Sequence, residues 1–343
     1  MTNEQQSSIQ NTGTLRDWLS SLSFGQPMTY KAVTLIPLHT NRTPKPLPYR
    51  VLSEAITVDE VVVTEQPHAS VPTLQLINKG AFPVLILDGE EVQGGNQNRV
   101  VNTTLLIPAH TTFDLPVTCV EHGRWHETAP QFMPGEAAYP SLRGQKAAQV
   151  NRTYMMHGEP VADQGAIWDE VADRQYRLGS VSRTGAMRDT YAQWHENLKQ
   201  AQEQLNCPED DAVGVLVLIG GQAACADIFD KPQTLKTYWP RLVHSYALEA
   251  IDITPVALSV DAAHQLLQQA LAADYHIFPS PGLGQDVRIS GNSIVGASLI
   301  YEEVAIHTAM FRSQDNDTSS SAIHRPSQRA RRFQHQADRQ QTT

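Results

Sequence analysis

The densest group of residues able to do chemistry lies in the run LDGEEVQGGNQNRVVN, from Leu87 to Asn102. Asp88, Glu90, Glu91, Gln97, Asn98, Arg99 and Asn102 fall there beside Gly89, Gly94 and Gly95. Carboxylates supply general acid or base capacity, amides and a guanidinium supply hydrogen bonds, and glycines let backbone approach a ligand closely. A second group, CVEHGRWHE from Cys119 to Glu127, adds Glu121, Arg124 and Trp125. The competing reading of both groups is ordinary: a solvated loop, a structural Glu–Arg pair, and a tryptophan that caps the core.

Strand alternation sharpens this choice. Phe113, Leu115, Val117 and Cys119 recur at every second position, so one face of that strand is apolar and Glu121 continues it. An unpaired carboxylate on such a face is expensive, which makes Arg124 and Arg99 its expected counter-charges. Glu90 and Glu91 are adjacent and face opposite ways on a strand, so one of them at most works with Glu121.

Other chemistries find less support. His122 and His126 with Glu121 and Glu127 have the spacing of a helical metal-ligand pair, but Gly123 and the strand context oppose it, so no metal site is predicted. Cys119 reads as a core thiol, and nothing marks Cys225 as a nucleophile. The chain contains no Gly-x-x-x-x-Gly-Lys loop, no Gly-x-Ser-x-Gly elbow and no complete Gly-x-Gly-x-x-Gly. The cofactor is left open.

The elements that must position these residues change in texture along the chain. Residues 1–13 read as a disordered leader, and residues 14–130 as a β-rich domain carrying the candidate site. The domain opens with Leu15, Trp18, Leu19 and Leu22 at helical spacing, and its strands run 31–39, 60–65, 74–77, 84–87, 98–107 and 111–120. The last two are joined by Pro108, Ala109 and His110, which fits a tight antiparallel connection. Residues 131–210 read as helical, over 141–156, 166–178 and 184–205. Residues 211–311 read as an α+β domain that starts with two apolar runs around Gly220 and Gly221, a hairpin signal. Helices over 234–251 and 261–272 and three strands after 274 complete it, with Pro240 either kinking the first helix or starting a second. The predicted fold class is α+β: an N-terminal β-rich roll or sandwich, central helices, and a C-terminal antiparallel sheet with helices on one side.

Bulk properties bound the partners. A formal charge of −10 disfavours nucleic acid and anionic lipid surfaces as partners. No apolar run approaches the ~20 residues of a membrane-spanning helix, and the N-terminus lacks a secretory signal. Three cysteines without a Cys-x-x-Cys pair point to reduced thiols. The cytoplasm is the expected compartment. Residues 312–343 hold six Arg against three Asp, a net of +3 that leaves −13 for the rest. That segment reads as a disordered basic tail, either merely solvated or touching an acidic protein partner.

Longer blocks carry a resemblance. LDGEEVQGGNQNRVVNT with LPVTCVEHGRW, then AYPSLRGQKA, DQGAIWDEV, FDKPQTL through RLVHSYALEAI, and GLGQDVRI before IYEE resemble the ARG and rhodanese-phosphatase-associated protein family, first type. The resemblance spans about residues 28–310. It implies no assigned activity, but the family is associated with ADP-ribosylglycohydrolases and rhodanese-like phosphatases, which suggests processing or binding of NAD-derived or ADP-ribosyl small molecules. It raises the weight of the residues above and adds Ser141, Arg143, Gln164 and Trp168. On the enzyme reading, Glu90, Glu91 and Glu121 are the catalytic acid and base candidates. Asp88, Gln97, Asn98, Arg99, Asn102, Arg124, Trp125 and Arg143 line the ligand, with the arginines on phosphates and Trp125 stacked on a base. On the alternative reading, the same residues belong to a non-catalytic sensing or scaffold module that works with neighbouring enzymes.

Overall fold

The computed structural model describes residues 3–313 except 44, 46, 69, 209, 258 and 259. Helix α1 (Asn3–Ser20) leads into strands β1 (Leu22–Phe24), β2 (Met28–Tyr30), β3 (Val33–Thr40) and β4 (Arg50–Val51), then helix α2 (Leu52–Thr57). The β-rich stretch continues through β5 (Val61–Glu65), β6 (Thr73–Asn78), β7 (Val84–Ile86), β8 (Glu90–Gln93), β9 (Arg99–Val101), β10 (Leu105–Ile107), β11 (Thr111–Cys119) and β12 (Met133–Ala137). Four helices follow, α3 (Pro140–His157), α4 (Gln164–Arg177), α5 (Met187–Gln193) and α6 (His195–Gln204). The last third contains β13 (Gly214–Ile219), β14 (Gln222–Phe229), α7 (Pro232–Glu249), α8 (Val260–Ala272), β15 (Asp274–Pro279), β16 (Gln285–Gly291), β17 (Ile294–Tyr301) and β18 (Val304–Arg312). The class is α+β, with antiparallel pairing throughout except between β4 and β7.

The N-terminal strands build two small sheets, β10-β7-β4 and β12-β8-β9-β11-β6-β5, which close over one apolar core. Val84, Ile86, Leu105 and Ile107 enter that core from one sheet, and Val63, Leu76, Val92, Val101, Leu115 and Val117 from the other. The segment 98–107 is thus two strands rather than one. β9 pairs with β11 while β10 pairs with β7, because Asn102, Thr103 and Thr104 between them turn their polar groups to Thr118, Asp286 and His307. The predicted direct pairing of 98–107 with 111–120 therefore holds only for its first part.

The larger sheet runs β1-β3-β13-β14-β18-β17-β16-β15, with β2 also on β3. β3, which the sequence places in the N-terminal unit, pairs with β13 and so joins that unit to the last third of the chain. In the β13–β14 hairpin, Gly220 and Gly221 sit at φ 56 and 75, the left-handed conformation that a primed turn requires. Helices cover both faces of this sheet, not the one side that the element order predicts. Leu35, Val215, Val217 and Phe311 pack toward α7 and α3, whereas Ile36, Leu216, Leu218 and Met310 pack toward α1 and α8. The unbroken apolar run of β13 is the physical signature of burial on two faces.

Three boundaries also move. Residues 3–13 are helical where composition predicts a disordered leader: Leu15, Trp18 and Leu19 anchor α1 in the core, and extending an anchored helix adds one hydrogen bond per residue. Asn11 in that stretch donates to Gln285 of β16. The segment read as helical from 131 begins with strand β12, and the helix read over 184–205 breaks at Trp194. Pro240 lies inside one continuous α7. Arg312 ends β18 and Ser313 follows it, while residues 314–343 of the basic tail lie outside the described residues. Among the described residues, no helix is long and apolar enough to cross a membrane.

Candidate functional site

The predicted site residues fall into three hydrogen-bonded networks rather than around one hollow. The first centres on Arg124. Its guanidinium meets Glu121 Oε2 at 2.9 Å and donates to the carbonyls of Gly95 at 2.6 Å and Gly94 at 3.2 Å and to Asn98 Oδ1 at 3.1 Å. Glu121 also accepts Thr184 Oγ1 at 2.7 Å and the Asn98 amide at 3.1 Å. Burial pushes the Glu121 carboxyl up, but these donors together hold it below its usual range. The Gln97 amide donates to the Glu121 carbonyl, and Arg99 is held between the Gln97 carbonyl at 3.1 Å and Glu65 at 3.5 Å. Glu121 and Arg124 are thus mutually saturated and form a clamp that closes the loop after β8 onto the end of β11.

The second network lies where α3 meets the large sheet. Arg143 makes a two-pronged pair with Asp227, Nη1 to Oδ2 at 2.9 Å and Nη2 to Oδ1 at 2.6 Å. Tyr246 Oη and His307 Nε2 complete the shell around Asp227 at 2.6 and 3.2 Å. Burial would raise this carboxyl, yet Arg143 and His307 drive it well below the usual range. One turn along α3, Lys146 pairs with Asp88 and donates to the Asn102 carbonyl at 2.8 Å. Gly89 must be glycine here: its φ is +78, and a Cβ would stand 2.7 Å from Arg143 Cγ. Every member is buried.

The third network divides two neighbouring acids. Glu90 turns to α7, where Arg241 Nη1 reaches it at 2.5 Å and Tyr238 Oη at 3.1 Å. Glu91 turns the other way, toward β12. Its Oε2 accepts Gln93 Nε2 at 2.7 Å and the Glu136 amide at 3.2 Å, while its Oε1 is buried with no partner among the described residues. Burial lifts its carboxyl to about 7. Gly135 has no room for a Cβ, because Glu91 Oε2 and the Gln93 side chain occupy that space. From Glu136 the chain of contacts continues to His244 Nδ1 at 3.3 Å, and the other ring nitrogen of His244 is also buried without a partner. Glu136 is partly exposed, so this network opens to solvent at one edge.

Trp125 stands apart, 61% exposed, with no stacking partner among the described residues. His122 packs its ring edge-on against Trp168 at 4.5 Å, and Gln164 brackets the Cys119 backbone. Burial pushes the Cys119 thiol up to about 11. Among the described residues no three His, Cys, Asp or Glu are grouped to hold a metal ion.

Glu136, His244, Arg241, Lys146, Asp227 and His307 escaped the sequence reading. Asp227 alone left a local trace, an acid inside the apolar run CADIF, where a charge demands a buried partner. Neither curated proteins nor solved structures gave a match. Residues 21–311 match the family described as the ARG and Rhodanese-Phosphatase-superfamily-associated Protein domain, and the chain belongs to it.

Proposed function

We propose that the chain is a hydrolase of a small NAD-derived or ADP-ribosyl compound, with Glu91 as proton donor and Glu136 as its partner carboxylate. One observation carries this reading. Glu91 keeps one buried oxygen free of any partner, beside a second acid that reaches both an imidazole and solvent. Of the three acids read from the sequence, it alone is not closed off by a cation. A carboxyl group poised near neutrality beside another acid is what glycosidic-bond cleavage needs. Arg188, exposed and with its charge acting on Glu91, is the group we assign to substrate phosphate in place of Arg99, Arg124 and Arg143. The substrate class rests on the family's association with ADP-ribosylglycohydrolases. Three unpaired cysteines support a cytoplasmic setting, and the net charge of −10 supports a small molecule over nucleic acid or membrane.

The test is a chromatographic product screen with NAD and ADP-ribose, run on the wild type, Glu91→Gln and Glu136→Gln. The expected result is turnover by the wild type, lost at least a hundredfold in each variant with ligand binding retained. Binding without turnover in all three favours the alternative, a sensing or scaffold module. That alternative is supported by Arg124, whose donors are taken up by the protein itself, and by the two-pronged engagement of Arg143 with Asp227. Neither binding nor turnover removes both.

A further inference from the structure

Three residues along α7 from His244, Ala247 belongs to the floor of a separate cavity of about 260 Å³, bounded by the β2–β3 turn, α6 and α7. Val33, Leu198, Ala201 and Ala250 extend that floor, so its base is apolar and free of long side chains. The polar groups around it are of one kind. Lys31, in the β2–β3 turn at φ 51, holds its ammonium 5.1 Å from the centre of the Tyr30 ring. Among the described residues, neither that ammonium nor the Asn197 side-chain amide has a hydrogen bond or ion pair. The lining includes no carboxylate.

An apolar base with an amide and one cation among its lining residues has a defined complement. The single ammonium suits one negative charge rather than the two of a phosphate monoester. The volume, below the roughly 300–1,000 Å³ usual for pockets that take drug-sized ligands, admits one ring system. We propose that this cavity binds a small planar aromatic carboxylate, its ring on the alanine-lined floor and its carboxylate at Lys31 and Asn197. This inference does not depend on the reaction assigned to Glu91.

Benzoate is the direct probe, titrated into the full chain with saturation-transfer NMR and tryptophan fluorescence as readouts. Benzamide and phenyl phosphate serve as comparators. Saturable benzoate binding is expected, at least tenfold tighter than either comparator. Lys31→Met should weaken it tenfold or more. Lys31 is exposed, and its variant should melt with the wild type, which separates lost binding from lost folding. Benzoate that fails to saturate at millimolar concentration, benzamide that binds equally well, or a Lys31→Met variant that binds like the wild type would each overturn the assignment.

Discussion

Glu136 donates its backbone N–H to Glu91 Oε2 at 3.2 Å, so strand β12 fixes the orientation of a carboxyl group on β8. The bond occupies one oxygen and leaves the other without a partner. The proposed chemistry and the first prediction both follow from that asymmetry.

Glu91 binds its proton more tightly in the fold than in the unfolded chain, with a carboxyl raised from 4.5 to about 7. The folded state therefore holds a proton that the unfolded state releases between these values. Its contribution is fully present below pH 4.5, falls as pH rises to about 7, and is level above that. The span corresponds to roughly 3 kcal/mol. Glu91→Gln, which cannot ionise, should lose this slope. Urea unfolding of both proteins at pH 5 and pH 8 measures it, with the wild type losing more stability than the variant.

Arg143 and Asp227 should behave as structure. Arg143→Met leaves a buried carboxylate without its two-pronged partner, and breaking a buried pair in this way costs about 3–5 kcal/mol. The variant should unfold at much lower urea or fail to accumulate. Were it a phosphate ligand, the same change would leave stability intact and weaken only substrate binding.

Gly89→Ala tests the packing of the site from the backbone side. The left-handed φ of +78 and the approach of Arg143 Cγ both oppose a methyl group. A destabilisation of about 1–3 kcal/mol is expected, read from the thermal midpoint. Gly158→Ala is the control, since its φ is also positive but no atom lies within 4 Å of the added carbon.

Trp125→Ala should change stability by less than about 0.5 kcal/mol, as surface substitutions do. The side chain is 61% exposed and packs on no ring. A large loss of stability or of ligand binding would return Trp125 to the site.

Much of the fold was legible because its signals are local. The alternation in Thr111–Cys119, the paired glycines after Ile219 and the helical spacing in α3 and α4 each need only a short window. The Glu121–Arg124 pair was legible for the same reason, lying three residues apart on one strand end. What was hidden depends on distant partners. Arg143 meets Asp227 across 84 positions, and Glu90 meets Arg241 across 151, so no local pattern separates a phosphate-binding arginine from a buried counter-ion. β12 was missed because Pro134 and Gly135 are poor strand formers and the segment was read with the helices after it, whereas Gly135 is there to make room for Glu91. Helices on both faces of the large sheet go with β3 crossing to β13, a pairing between segments far apart in the chain that no local pattern announces.

A carboxyl-carbon NMR titration, on protein labelled at glutamate Cδ, reaches the Glu91 assignment most directly. One resonance should titrate with a midpoint near 7, vanish in Glu91→Gln and shift its midpoint in Glu136→Gln. A Glu91 resonance that titrates below pH 5, unmoved by Glu136→Gln, would contradict the account.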